Sequence, residues 1–336
     1  MQTGSVRTTP RSLLVQTGKA LAATVIMGLC VALVPILPPF IFPFLALPLA
    51  FVVARWGRVT GIAVAVLAGL LLYVGVGLGA ATLMFLVVAG VGTLIGESLH
   101  RNWSFGRTFG VTAVGALVAF LLWGAFIWSV LGVRFASVKD LVYRSIDSVG
   151  GQYQAWGMSA ATANSASRQL KNLFDTLPYL APGVLVMAVL LLAACSLGLV
   201  YWIFPRLRER VGVPWSFSRF RLHWGVAYVS IAGLAMILFS RGTAAWRTDL
   251  MYAGINLLLM SQTLFFFQGL AVARWFAVYR RMSGGGRVVL YGGAVLTQAL
   301  FQLTGLVGLF DTWIDYRKRF ALKSPPAGSQ GGTHKE

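Results

Sequence analysis

The chain has 336 residues, 57% hydrophobic and only 11% charged, with a mean hydropathy of +0.76 and a formal net charge of +19. Soluble domains carry about 25% charged residues, so most of this surface faces lipid or other protein, which excludes a soluble enzyme or carrier. The positive charge would suggest nucleic acid in a soluble protein. Here Arg and Lys gather in short connections between apolar stretches, as loops retained inside a membrane do, so the bilayer is the expected partner and nucleic acid is not.

Residues 1–19 form a basic tail with Arg7, Arg11 and Lys19. Apolar stretches follow at about 20–37, 39–54, 59–78, 79–98, 108–132 and 179–204, and then at 223–240, 249–273 and 288–310. A helix needs roughly 20 apolar residues to cross a ~30 Å hydrocarbon core. The first stretch is too long, and too closely followed by a second, to read as a cleaved leader. The second is rich in proline (Pro38, Pro39, Pro43 and Pro48) and reads as broken or tilted. The nearly continuous run 59–98 would be about 60 Å long as one helix, so a break is expected at Gly75, Gly77 or Gly79, where a tight turn is sterically easy.

A long connection, 134–178, separates the fifth and sixth stretches. Val138, Leu141, Val142 and Ile146 recur at helical spacing among charged residues, which predicts a helix on the outer surface. Met158 to Gln169 reads as a linker or weak helix. The last stretch is followed by a basic tail, 314–336, whose end is rich in Pro, Gly and Ser and reads as disordered.

The expected fold is an all-α polytopic bundle of eight or nine spans with a cytoplasmic N-terminus, in a bacterial inner membrane. It divides into a tail (1–19), a six-span core (20–204), a basic loop (205–222), further spans (223–313) and a second tail (314–336). With nine crossings, Arg and Lys favour the inside by only 16 to 12; if the last segment does not cross, by 21 to 7. The C-terminal side therefore turns on that segment.

Few residues point to chemistry. No GxxxxGK[ST], HExxH or GxSxG motif occurs, and the three histidines are scattered. No catalytic residue, metal site or cofactor is expected, and the protein reads as a non-enzyme. Cys30 and Cys195 read as buried small apolar residues, Trp residues beside Arg as interfacial anchors, and Glu97 as a carboxylate paired with Arg101 or Arg107. Polar residues inside spans are default functional candidates. Asn256 and Gln262 on the eighth stretch, with Gln298 and Gln302 four apart on the ninth, are the candidate ligand contacts; bridging between helices is their other use. Asp311 and Asp315 read as a helix end, with Asp315 spaced to pair with Arg319. Small residues four apart allow close helix approach. On the first span Gly28 and Ala32 form such a face, open to a neighbouring helix of this chain or to a partner.

The closing stretch Gly305-Leu-Val-Gly-Leu-Phe-Asp-Thr-Trp-Ile-Asp-Tyr-Arg-Lys-Arg319, the segment Phe267-Gln-Gly-Leu-Ala271 and the first six spans resemble the YybS-like family of bacterial membrane proteins. The N-terminal half of that family is in turn similar to substrate-binding subunits of energy-coupling-factor vitamin transporters. That resemblance implies capture of a small molecule, ATP hydrolysis by a separate ATPase, and a membrane coupling subunit docked on the face of Gly28 and Ala32. The extra spans and the long outer loop depart from the pattern. A transport-related role is the leading expectation. The alternative is an envelope or assembly factor acting by protein contacts, with the 134–178 loop and the basic tail as docking surfaces.

Overall fold

The computed structural model describes residues 10–33, 38–204, 217–242 and 244–322. Its described residues are helical and contain no strand. Two compact units divide the chain, Met1–Trp215 and Ser216–Glu336. Six helices are long and apolar enough to cross a membrane, or seven if one bent pair counts as a span. Eight or nine full-length spans were expected. The difference lies in two shorter apolar helices, Ile41–Trp56 and Gly225–Phe239, and in the bent pair at the end.

In the first unit, α1 (Pro10–Leu33) is followed by α2 (Pro38–Leu45) and α3 (Leu47–Trp56). The second apolar stretch is indeed broken, at Ala46 between Pro43 and Pro48, because proline withholds a donor and crowds the preceding turn. Then come α4 (Arg58–Val76) and α5 (Leu78–Val87), which continues through a π turn, Val88–Gly92, into α6 (Thr93–His100). The expected break falls at Gly77, at φ +79°, a conformation that costs glycine nothing. On α4, Val64, Ala65, Ala68 and Leu72 are buried, while Val59, Val66, Leu70 and Val74 are exposed. A helix that is apolar on both its packed and its open face is suited to lipid. The small-residue positions are filled from within the chain. A Cβ on Gly96 would stand 2.5 Å from Val53 Cβ, and one on Gly92 2.9 Å from the Ala46 carbonyl oxygen.

α7 (Phe105–Ser129) leads to α8 (Phe135–Ala155) and to α9 (Ala160–Ile203). A helix is present where one was expected, as α8. The segment read as a linker or weak helix is helical from Ala160 and starts α9, whose 44 residues span about 66 Å. The Ser159 hydroxyl accepts the Thr162 N–H and caps this end, and alanine gives it the helix propensity that the polar composition obscured. α8 lies against this extension as a hairpin, with Lys139 bonded to Asp175, Lys171 to Asp147, and Phe135 stacked on Phe174. Glu97 pairs with Arg101 (2.6 Å), while Arg107 lies over the Trp103 ring. Cys195 is exposed on α9 rather than buried; Cys30 is half-buried.

The second unit holds a short 3-10 turn (Phe217–Arg219), α10 (Gly225–Phe239) and α11 (Ala245–Tyr279), followed by α12 (Gly284–Phe301), α13 (Leu303–Ile314) and α14 (Tyr316–Leu322). α12 and α13 meet at 101°, so the ninth stretch is not one straight helix. The hinge is Gln302, in the left-handed region at φ +55°. Residues 205–216, most of the expected basic loop, and those from 323, most of the expected tail, lie outside the described residues.

Candidate functional site

The first unit carries a half-open cavity of about 1220 Å³. Gln16, Lys19, Ala20, Ala23 and Met27 line it from α1, spaced three or four apart on one helical face. Phe44, Leu47, Pro48 and Phe51 face them from the broken second stretch, with Ala54 and Arg55 at its end. Phe204 stacks on Phe51 at 5.1 Å, and His100 and Asn102 follow the end of α6. The polar groups collect at one end of the cavity, because the start of α1 and the ends of α3, α6 and α9 meet there. Lys19 and His100 are exposed and Arg55 is half-buried over the Trp56 ring. Gln16 Oε1 is buried and has no hydrogen-bond partner among the described residues.

The side chains singled out in the sequence lie elsewhere. Gly28 is turned inward, and a Cβ on it would stand 2.7 Å from Leu72 Cδ2 and 3.2 Å from Met84 Sδ. Ala32 packs against the same core. That face is occupied by α4 and α5 of this chain. Asn256 folds back on its own helix and donates to the Tyr252 carbonyl (2.9 Å). Gln262 and Gln298 come together at Gly305: the Gly305 N–H donates to Gln298 Oε1 (2.7 Å), and Gln262 Oε1 lies where a Gly305 side chain would begin. Gln302 sits exposed at the bend and does not share a helical face with Gln298, because the helix stops between them. Thr304 Oγ1 donates to the Ala294 carbonyl (2.6 Å) across the same bend. Gln298 and Thr304 satisfy a broken backbone, as irregular structure within a membrane protein requires, whereas Gln262 Oε1 is buried with no hydrogen-bond partner among the described residues.

A second polar cluster ends the second unit. Gln268 is 1% exposed and donates from Nε2 to Asp311 Oδ2 (3.2 Å) and Thr312 Oγ1 (3.4 Å). Its Oε1 accepts the Leu222 N–H (3.0 Å). Asp311 also receives Arg317 Nη2 (3.0 Å) and the Tyr316 N–H (3.2 Å). Arg317 donates further to the carbonyls of Ser218 (2.6 Å) and Phe220 (2.9 Å). Burial pulls its guanidinium down from the ordinary value, against the charge of Asp311. Asp315 pairs with Arg221 and Lys318, not with Arg319. The members hold one another, so the cluster locks helix ends together; Arg317 Nε is buried there with no hydrogen-bond partner among the described residues.

The cavity is what the sequence reading missed. Its signal was present in the spacing 16, 19, 20, 23, 27, which puts Gln and Lys on the same face as small residues. It could not be separated from the ordinary pattern of a span end, since pairing α1 with α3 and with the ends of α6 and α9 is a tertiary fact. In the second unit the segments that carried the resemblance, Phe267–Ala271 and Gly305–Arg319, supply Gln268, Asp311 and Arg317. No curated protein and no solved structure matches the chain. Several apolar spans make it an integral membrane protein, and with residues 22–312 matched by the family's model it belongs to the family described as Predicted membrane protein (DUF2232).

Proposed function

We propose that the protein is a non-enzymatic, transport-related subunit of a bacterial inner membrane that captures a small molecule and relies on other chains for energy. The finer likeness to YybS-like proteins, and through them to substrate-binding subunits of energy-coupling-factor transporters, belongs to this proposal. So do the separate ATPase and the membrane coupling subunit. The observation that carries the reading is the cavity of the first unit, with its apolar wall and polar end. Ligand sites are concave, mostly apolar and equipped with a few orienting polar groups. The four candidate residues of the second unit give it less support, since Gln298 and Asn256 are engaged with backbone. Purification of intact complexes, probed for an ATPase, a membrane coupling protein and a retained small molecule, tests the reading. It fails if none of the three is recovered.

A second reading, an assembly factor acting through protein contacts, draws on the α8–α9 hairpin, where Leu141, Trp156 and Leu173 are exposed. Replacing residues 140–172 with a short Gly/Ser linker separates the two. An assembly factor loses function with its membrane core intact; a capture subunit keeps its ligand.

A further inference from the structure

We infer that the ligand of the first-unit cavity is an amphiphilic anion, with its acidic head among Lys19, Arg55 and His100 and its hydrocarbon against Ala23, Met27, Phe44 and Leu47. The inference rests on the reading of this cavity as a ligand site and adds the class of molecule it takes.

Three observations carry it. First, polarity is sorted along the long axis. Lys19 and Met27 lie eight residues apart on one face of α1, about 12 Å along the helix, and Arg55 and Phe44 bracket the facing wall in the same order. A site for a wholly polar solute would spread its donors around the ligand; this one holds them at one end. Second, among the described residues the lining of the cavity includes Lys, Arg and His but no Asp or Glu. Glu97, near the end of α6, is bonded to Arg101 and does not neutralise the lining cations. Lys19 and His100 are exposed to water, but Arg55 is half-buried beside the apolar wall, where its attraction for an anion is screened less. Third, Gln16 Oε1 is buried without a partner among the described residues at the same end. A buried acceptor left unpaired is costly, and a hydroxyl on the head group of an acidic lipid would satisfy it. The volume of about 1220 Å³ exceeds the roughly 300–1,000 Å³ of ordinary small-molecule pockets, which suits a hydrocarbon portion. Basic residues at span ends commonly anchor helices at the interface; here they border a cavity.

The source of the anion is either a membrane phospholipid or a free long-chain carboxylate, and the two are separable. The full chain is reconstituted in nanodiscs with equal amounts of phosphatidylglycerol and phosphatidylcholine of identical acyl chains, and lipids that stay bound on release are counted by native mass spectrometry. In a parallel arm oleate is added. The expected result is selective retention of one anion by about tenfold or more over phosphatidylcholine: phosphatidylglycerol if the source is a phospholipid, oleate if it is a free carboxylate. The double variant Lys19→Gln/Arg55→Gln should lose the preference. Arg134→Gln/Arg168→Gln removes the same charge from the hairpin and should change nothing. Equal retention of neutral and anionic lipid, or a preference that survives Lys19→Gln/Arg55→Gln, would overturn the inference. Retention of a neutral water-soluble compound instead overturns it and leaves small-molecule capture standing. A protein that retains nothing, with no ATPase or coupling partner, takes both down.

Discussion

Arg317 shows how much a single side chain can hold. It is 7% exposed, its guanidinium reaches two backbone carbonyls and one carboxylate, and Asp311 opposite has a wholly buried side chain. Removing one partner of a buried pair leaves the other charge uncompensated, at a cost of roughly 3–5 kcal/mol. Arg317→Ala should therefore lower the unfolding midpoint in detergent sharply, and a midpoint within error of wild type would contradict the network. Gln268→Ala should cost less, on the order of 1–3 kcal/mol, because it strands neutral groups and not a charge. Asp315 supplies a pH dependence of known sign. Burial acts to raise its carboxyl, but the hydrogen bonds from Arg221 and Lys318 outweigh this and hold it below its ordinary 3.8. Its stabilisation is thus complete above that value and is lost as the pH falls through the lowered one. Asp315→Asn should lower stability at neutral pH and flatten the acid limb below pH 3.8, where the variant and the wild type converge. From the sequence, Asp311 and Asp315 both read as surface groups at a helix end. One is buried and the other pairs across to Arg221, since composition near a helix end does not reveal which partner folds over it.

Between elements, glycine sets the distances. α11 and α13 cross so closely that a Cβ on Gly308 would stand 2.0 Å from the Phe265 carbonyl oxygen, and one on Gly269 the same distance from that of Thr304. The obstacle is backbone, which cannot rotate aside. Gly308→Ala should force these helices apart and destabilise the second unit by about 1–3 kcal/mol or more, read as lost thermal stability and protease resistance. By contrast, Gly110→Ala meets open space on α7 and should be tolerated. The small-residue faces were legible in the sequence as spacing; what each one packs against was not. The break at Gly77 was legible because three glycines mark it. The bend at Gln302 was not, because no glycine or proline falls at it, and it depends on Gln298 and Thr304 reaching over to backbone groups from opposite sides of the hinge.

At the scale of the molecule, that bend bears on topology. Counting Arg and Lys gives a clear inside bias only if the last segment does not cross, and the last segment is the one bent by 101°. We expect the loop at 280–283 and the C-terminal tail on the same side of the membrane. Paired reporter fusions or thiol labelling at the two places check this, and opposite sides would mean that the pair crosses. The sequence by itself determined the class: low charge, long apolar runs and basic connections specify membrane helices, because the bilayer rewards apolar surface and a satisfied backbone wherever they occur along the chain. Tertiary structure decided how many of those runs are straight and which face Gly28 presents. It also decided that Gln298 serves the backbone while Gln262 Oε1 is buried with no partner among the described residues, and that Lys19, Arg55 and Gln16 share one cavity. Hydropathy is a sum over neighbours in sequence, whereas a site is a meeting of side chains from distant helices, and only packing brings those together.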